Sequence, residues 1–172
     1  RDSNTFDPSL NNLTRIQAGE LSVLIHCAGN DGVASTARMW KAKYNTRSVL
    51  SHGSFDGWYA AEYVASLGMP VNHGPRTFNI TSGIRESRFV NTSKAYVDAG
   101  VPNFSLTTDA GVIPQEELFL QATVSAHYGS DPYQMLQAIT INPAKSFGIG
   151  DSVGSLEVGK HADVVIWSGD PL

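Results

Sequence analysis

Three histidines and one aspartate stand where short apolar runs stop: His26, His52, His73 and Asp109. The chain has five histidines, so most of them occupy this one kind of position. Two imidazole nitrogens with a carboxylate oxygen form a borderline-hard donor set suited to Zn2+, Mn2+ or Fe2+. A metal with an open coordination position lowers the pKa of bound water to about 7 and supplies hydroxide at neutral pH. A carboxylate beside that water accepts its proton and passes it to a leaving group. Each residue also has a plainer role open to it. A strand-end histidine can cap backbone groups or simply pack. Asp109 can cap the helix that follows it, as can Thr107 or Thr108. Arg76, just after Gly74-Pro75, can bind a substrate carboxylate or be a solvated loop arginine. Cys27 reads as a small buried filler, and His127 and His161 as surface or structural residues.

These residues meet only if the chain's elements bring them together. Apolar runs over 21–26, 47–51, 69–72 and 104–107 read as buried strands. Helical patterns over 31–44, 57–67 and 83–99 separate them, and Gly68 and Gly100 close the last two. Strands apolar on both faces that alternate with helices predict a parallel α/β sheet with right-handed crossovers. Ligands bind such sheets beyond the carboxyl ends of the strands, which is where the four residues lie. An open doubly wound sheet and part of a (β/α)8 barrel both fit this rhythm. Two or three helices follow, over 114–128, 131–140 and 142–147, with a break at Asn142-Pro143. A short helix is also expected near 9–18. Beyond a linker at 148–154, the stretches 155–158 and 162–167 alternate as β-strands around Gly159-Lys160 and look like the start of a small β-domain. The expected division is therefore 1–148 and 149–172.

Composition narrows the function classes. The 172 residues are 41% apolar and 16% charged, enough apolar content to bury a core. Mean hydropathy is −0.15, and no apolar run is long enough for a membrane-spanning helix. A net charge of −4 without a Lys/Arg run argues against nucleic acid or an anionic membrane surface as partner. The single Cys27 excludes an intrachain disulfide and a multi-cysteine zinc site. The polar first residues contain no leader pattern, and a cytoplasmic location is slightly favoured. Both ends look cut: a strand-like stretch runs into Ser168-Gly169-Asp170-Pro171-Leu172, a turn that normally leads onward, so a piece of a larger protein is expected. The Asn-x-Ser/Thr triplets at Asn12, Asn79 and Asn91 matter only in a secreted protein.

The segment Thr107-Thr108-Asp109-Ala110-Gly111-Val112-Ile113-Pro114-Gln115-Glu116-Glu117-Leu118 resembles the eighth-strand region of the amidohydrolase superfamily. Ala138-Ile139-Thr140-Ile141-Asn142-Pro143-Ala144-Lys145 is similar to the same superfamily. So is Gly154-Ser155-Leu156-Glu157-Val158-Gly159-Lys160-His161-Ala162-Asp163-Val164-Val165-Ile166-Trp167, where such chains leave the barrel for a β-sandwich. The resemblance covers roughly 21–172, is weakest over 79–100, and points to the imidazolonepropionase-like and prolidase-like branch. It implies strands five to eight of a partial TIM (β/α)8 barrel followed by the first strands of a small β-sandwich. It also implies a divalent metal, Zn2+ first, with one or two ions in the full-length protein. His26 then matches the fifth-strand metal ligand. His52 matches the sixth-strand histidine, a second-metal ligand or a substrate polariser. Asp109 matches the eighth-strand aspartate, a ligand that also takes a proton from the attacking water. His73 matches no ligand of the superfamily, and a substrate-binding role for it and Arg76 comes from position alone. Departures are clear. The strand-one His-x-His pair and the fourth-strand Lys or Glu ligand are absent, Ala28 replaces a frequent polar residue, and His161 stands where relatives often carry Asp.

Three functions are therefore open. The first is a metal-dependent hydrolase of C–N bonds in cyclic amide, amidine or dipeptide-like small molecules, present as a fragment. The second is a catalytically inactive half-barrel that self-associates through open sheet edges. The third is a small-ligand-binding α/β domain, disfavoured because no Gly-x-Gly-x-x-Gly or Walker-type loop follows the first strand.

Overall fold

The computed structural model describes residues 7–79 and 89–172. Among them the strands are β1 (Val23–Cys27), β2 (Ser48–His52), β3 (Val71–His73), β4 (Phe78–Asn79), β5 (Val90–Asn91) and β6 (Ser105–Leu106). β1, β2, β3 and β6 form one parallel sheet in that order, and β4 and β5 pair antiparallel beside it. The helices are α1 (Asn11–Gln17), α2 (Asn30–Thr36), α3 (Ala61–Ser66), α4 (Thr92–Asp98), α5 (Leu118–His127), α6 (Pro132–Ala138) and α7 (Ile141–Ser146). α2 continues as a π-helical stretch, Ala37–Lys43. The parallel α/β sheet expected from the alternation is present, and each strand lies within a residue or two of its apolar run.

Local chemistry accounts for the helix starts. Asp131 accepts a hydrogen bond from the Gln134 amide at 2.8 Å, and Pro132 occupies the first turn, so α6 begins with a side-chain cap and a pre-set φ. Asn91 caps α4 by accepting from the Lys94 amide at 3.1 Å. Its amide nitrogen donates to the Ser125 carbonyl at 2.9 Å and to Ser130 Oγ at 3.1 Å, tying α4 to the end of α5. The triplet at Asn91 is therefore structural. The helix expected over 83–99 forms over Thr92–Asp98, whereas Val90–Asn91 is strand and 80–88 lies outside the described residues.

Strand register divides the side chains between two faces. Ile25 lies opposite Leu50, and Leu50 opposite Val71, on the face that packs against the helices. Cys27, His73 and Leu106 follow the same alternation. Leu24, His26, Val49, Ser51, Asn72 and Ser105 take the other face. β1 is an edge strand, and Leu24 on that second face is 50% exposed. The helix-side core centres on Leu50, Val64, Met69, Val71, Met135 and Tyr96, all fully buried. Tyr96 is the largest of them, and its hydroxyl donates to the Gly53 carbonyl at 2.8 Å. Tyr96→Phe keeps the ring but strands that carbonyl, so it is expected to cost about 1–2 kcal/mol. A urea midpoint equal to wild type would contradict this.

The two strands expected over 155–158 and 162–167 are not formed: neither stretch is strand, and Val158, Val165 and Ile166 are exposed. The alternation supplies two faces but no hydrogen-bonded partner, and two short strands alone are marginal in water. Contacts other than strand pairing hold this segment. His161 N–H donates to the Ser152 carbonyl at 2.8 Å, and Trp167 packs on Phe119 with ring centroids 4.9 Å apart.

Candidate functional site

The C-terminal ends of β1 and β2 bring His26 and His52 together with ring centroids 4.4 Å apart, edge to face. Register alone would place His52 on the helix side, opposite Cys27 and His73. A left-handed backbone at His52, with φ 77°, turns its ring toward His26 instead. Such a conformation costs a non-glycine residue about 1–3 kcal/mol and clusters at functional sites. Asp109, three residues past β6, has φ 52° and brings Oδ1 to 4.0 Å from His52 Nε2. Its own amide donates to Thr107 Oγ1 at 3.2 Å, so the turn after β6 is self-braced.

The hydrogen bonds of His52 determine what its ring can do. Nδ1 lies 3.2 Å from the Gly74 carbonyl, which only accepts, so Nδ1 carries the proton. In the neutral ring Nε2 is then the lone-pair nitrogen, on the side of Asp109. Metal-ligating histidines characteristically commit the second ring nitrogen to a carbonyl or carboxylate in this way. The separation of 4.0 Å is wider than the ~3.4 Å between two ligand atoms of a tetrahedral zinc, so the pair would have to draw in slightly around an ion. The donor types, imidazole and carboxylate, fit a divalent metal. Among the described residues, however, no three His, Cys, Asp or Glu side chains close into a ligand shell. His26 sits exposed on the edge strand, touching His52 but forming no third corner with Asp109.

His73 does not join the mouth of the sheet. It is fully buried on the helix face, between Tyr96 and Phe104 at centroid distances of 5.2 and 5.9 Å. Nδ1 donates to the His52 carbonyl at 2.8 Å, and Nε2 accepts from the Thr92 hydroxyl at 2.8 Å. Burial pushes its pKa down to about 4, so the ring is neutral. The expectation that it touches substrate fails because strand alternation points it away from His26. Arg76 is exposed on the loop after β3. Cys27 is half-buried against the core and burial pushes its thiol pKa up, as suits a filler rather than a nucleophile. His127 and His161 are exposed.

Ser54 and Tyr96 are contributors that residue typing passed over. Ser54 Oγ donates to the same Gly74 carbonyl that holds His52, and Tyr96 holds the residue after His52 through the Gly53 carbonyl. Ser54 follows a His-Gly pair at a strand end, which is its one sequence signal, and Tyr96 has none.

A model of the amidohydrolase family matches residues 19–172. An imidazolonepropionase from Fusobacterium nucleatum is 35% identical over 142 residues, covering 74% of this chain and 34% of that protein. A Thermotoga maritima amidohydrolase superposes with a TM-score of 0.81 at 27% identity, covering 99% of this chain and 44% of that one. A prolidase solved with N-methylphosphonate-L-proline has a TM-score of 0.64 at 18% identity over 92% of this chain and 41% of its own, a likeness of fold. The chain thus spans between a third and a half of each of these three proteins. Among the described residues no helix is long and apolar enough to cross a membrane.

Proposed function

The chain belongs to the amidohydrolase family, and on that premise we propose that it supplies strands five to eight of a (β/α)8 barrel and the C-terminal part of a metal centre that hydrolyses C–N bonds. The substrate class is a small cyclic amide, amidine or dipeptide-like molecule. His52 and Asp109 would hold a divalent metal, Zn2+ first, and His26, whose ring touches His52, would have to turn toward Asp109 to join them. Such a metal, when bound, acidifies water and polarises a carbonyl oxygen. Asp109 takes the proton of the attacking water at a carboxylate oxygen and returns it to the leaving nitrogen. His52, held as the Nδ1–H tautomer, keeps its lone pair aimed at the same point. Arg76, exposed beyond β3, would pair with a substrate carboxylate. The segment 155–167 becomes strand once a β-domain partner is beside it.

The juxtaposition of the His52 lone pair and Asp109 Oδ1 at 4.0 Å carries this reading. Zn2+ titration of the full chain is the test. Saturable binding should raise the melting temperature, an excess of 100 times Kd being worth about 2.7 kcal/mol. His52→Ala and Asp109→Ala should each remove most of that rise. Wild type without saturable binding, or variants that bind as wild type does, would sink the assignment.

One observation favours a second reading, self-association of an inactive half-barrel. Among the described residues the edge strand β1 pairs on one side only, and Leu24 beside it is 50% exposed. Sedimentation of the metal-free chain distinguishes the two: a monomer across concentrations removes this alternative.

A further inference from the structure

We infer that His73, from the far face of the sheet, is a positioning residue that locks His52 into the one tautomer and backbone conformation that aims Nε2 at Asp109. The inference rests on the reading of His52 as a ligand only for its purpose, since its geometry is independent of any metal. His73 and His52 hold each other's strand ends. His73 Nδ1 donates to the His52 carbonyl at 2.8 Å, while His52 Nδ1 faces the carbonyl of Gly74, the residue after His73, at 3.2 Å. Both acceptors are carbonyls, so both Nδ1 atoms carry the proton, and in the neutral rings Nε2 is the lone-pair nitrogen. For His73 the bare nitrogen is satisfied by the Thr92 hydroxyl at 2.8 Å, which fixes the ring against α4.

The need for such a clamp is local. His52 (φ 77°) and Gly53 (φ 56°) are consecutive left-handed residues at the end of β2. Glycine adopts this conformation freely, but at His52 it is strained and persists only where the surroundings over-determine it. The carbonyl of His52 is taken by His73 and that of Gly53 by Tyr96. Both clamps stand on the helix side, and His73 and Tyr96 rest against each other at 5.2 Å between ring centroids. A fully buried imidazole is costly unless both nitrogens are bonded. A leucine here would fill the space but could not hold the His52 carbonyl.

Two conservative variants separate positioning from packing. In His73→Asn the side-chain amide replaces Nδ1 and keeps the bond to His52. In His73→Gln it replaces Nε2, keeps Thr92 and loses His52. Long-range proton–nitrogen correlation of the metal-free, 15N-labelled full chain reads the tautomer directly. Wild type and His73→Asn should show His52 protonated at Nδ1 only, whereas His73→Gln should show exchange between tautomers. Zn2+ affinity should fall about 10–100-fold in His73→Gln and far less in His73→Asn. A wild-type spectrum with His52 protonated at Nε2 would overturn the inference, as would a folded His73→Gln with the wild-type tautomer. If wild type holds the Nδ1–H tautomer but binds no Zn2+, the metal reading fails and the clamp stands.

Discussion

Gly74→Ala should destabilise the fold by about 3 kcal/mol or more. A Cβ at this position would overlap the Thr107 carbonyl oxygen and lie 2.9 Å from the Thr107 carbonyl carbon. Those atoms are backbone, at the end of β6, and cannot rotate away as a side chain can. Thr107 is also hydrogen-bonded to β3, its amide donating to the His73 carbonyl at 2.8 Å. Relief of the overlap therefore separates β3 from β6, and with them His52's acceptor from Asp109. Urea denaturation gives the stability, and Zn2+ titration gives the effect on the site. An alanine variant within about 1 kcal/mol of wild type would show that the two strand ends are not packed as described.

Acidification should remove roughly 3 kcal/mol through His73 alone. The ring titrates at 6.5 when unhindered and is pushed down to about 4 by burial in the native state. Between those values the unfolded chain binds a proton that the folded chain refuses, so stability rises with pH. The contribution is complete above about pH 6.5 and is lost as pH falls toward 4. Urea midpoints between pH 7.5 and 4.5 measure the slope, and subtracting that of His73→Gln removes the carboxylates and other histidines. Identical slopes in the two proteins would mean that His73 is hydrated in the native state.

The βα alternation was legible because strands buried on both faces must be apolar throughout, and their apolar runs stand out between helical patterns. The site was half legible. Strand ends locate the mouth of a parallel sheet, and His26, His52 and Asp109 are indeed there. What strand ends do not reveal is the face. His26 and His73 both stand at the close of an apolar run, yet the register puts them on opposite sides of the sheet. His52 would have been placed with His73 by the same register, and only its left-handed backbone reverses that. Histidine adopts such a φ more often than most side chains, but the residue type alone does not require it. The stretch 155–167 fails for another reason: alternation encodes a readiness to pair, and pairing needs a second strand.

The main chain around the mouth is already spoken for. The carbonyls of Cys27, His52, Gly53, His73 and Gly74 all accept hydrogen bonds from within the protein, and Gly74 accepts two. These five acceptors are thus tied into the scaffold itself. Side chains on the surrounding loops that make none of these bonds can be exchanged without loosening it.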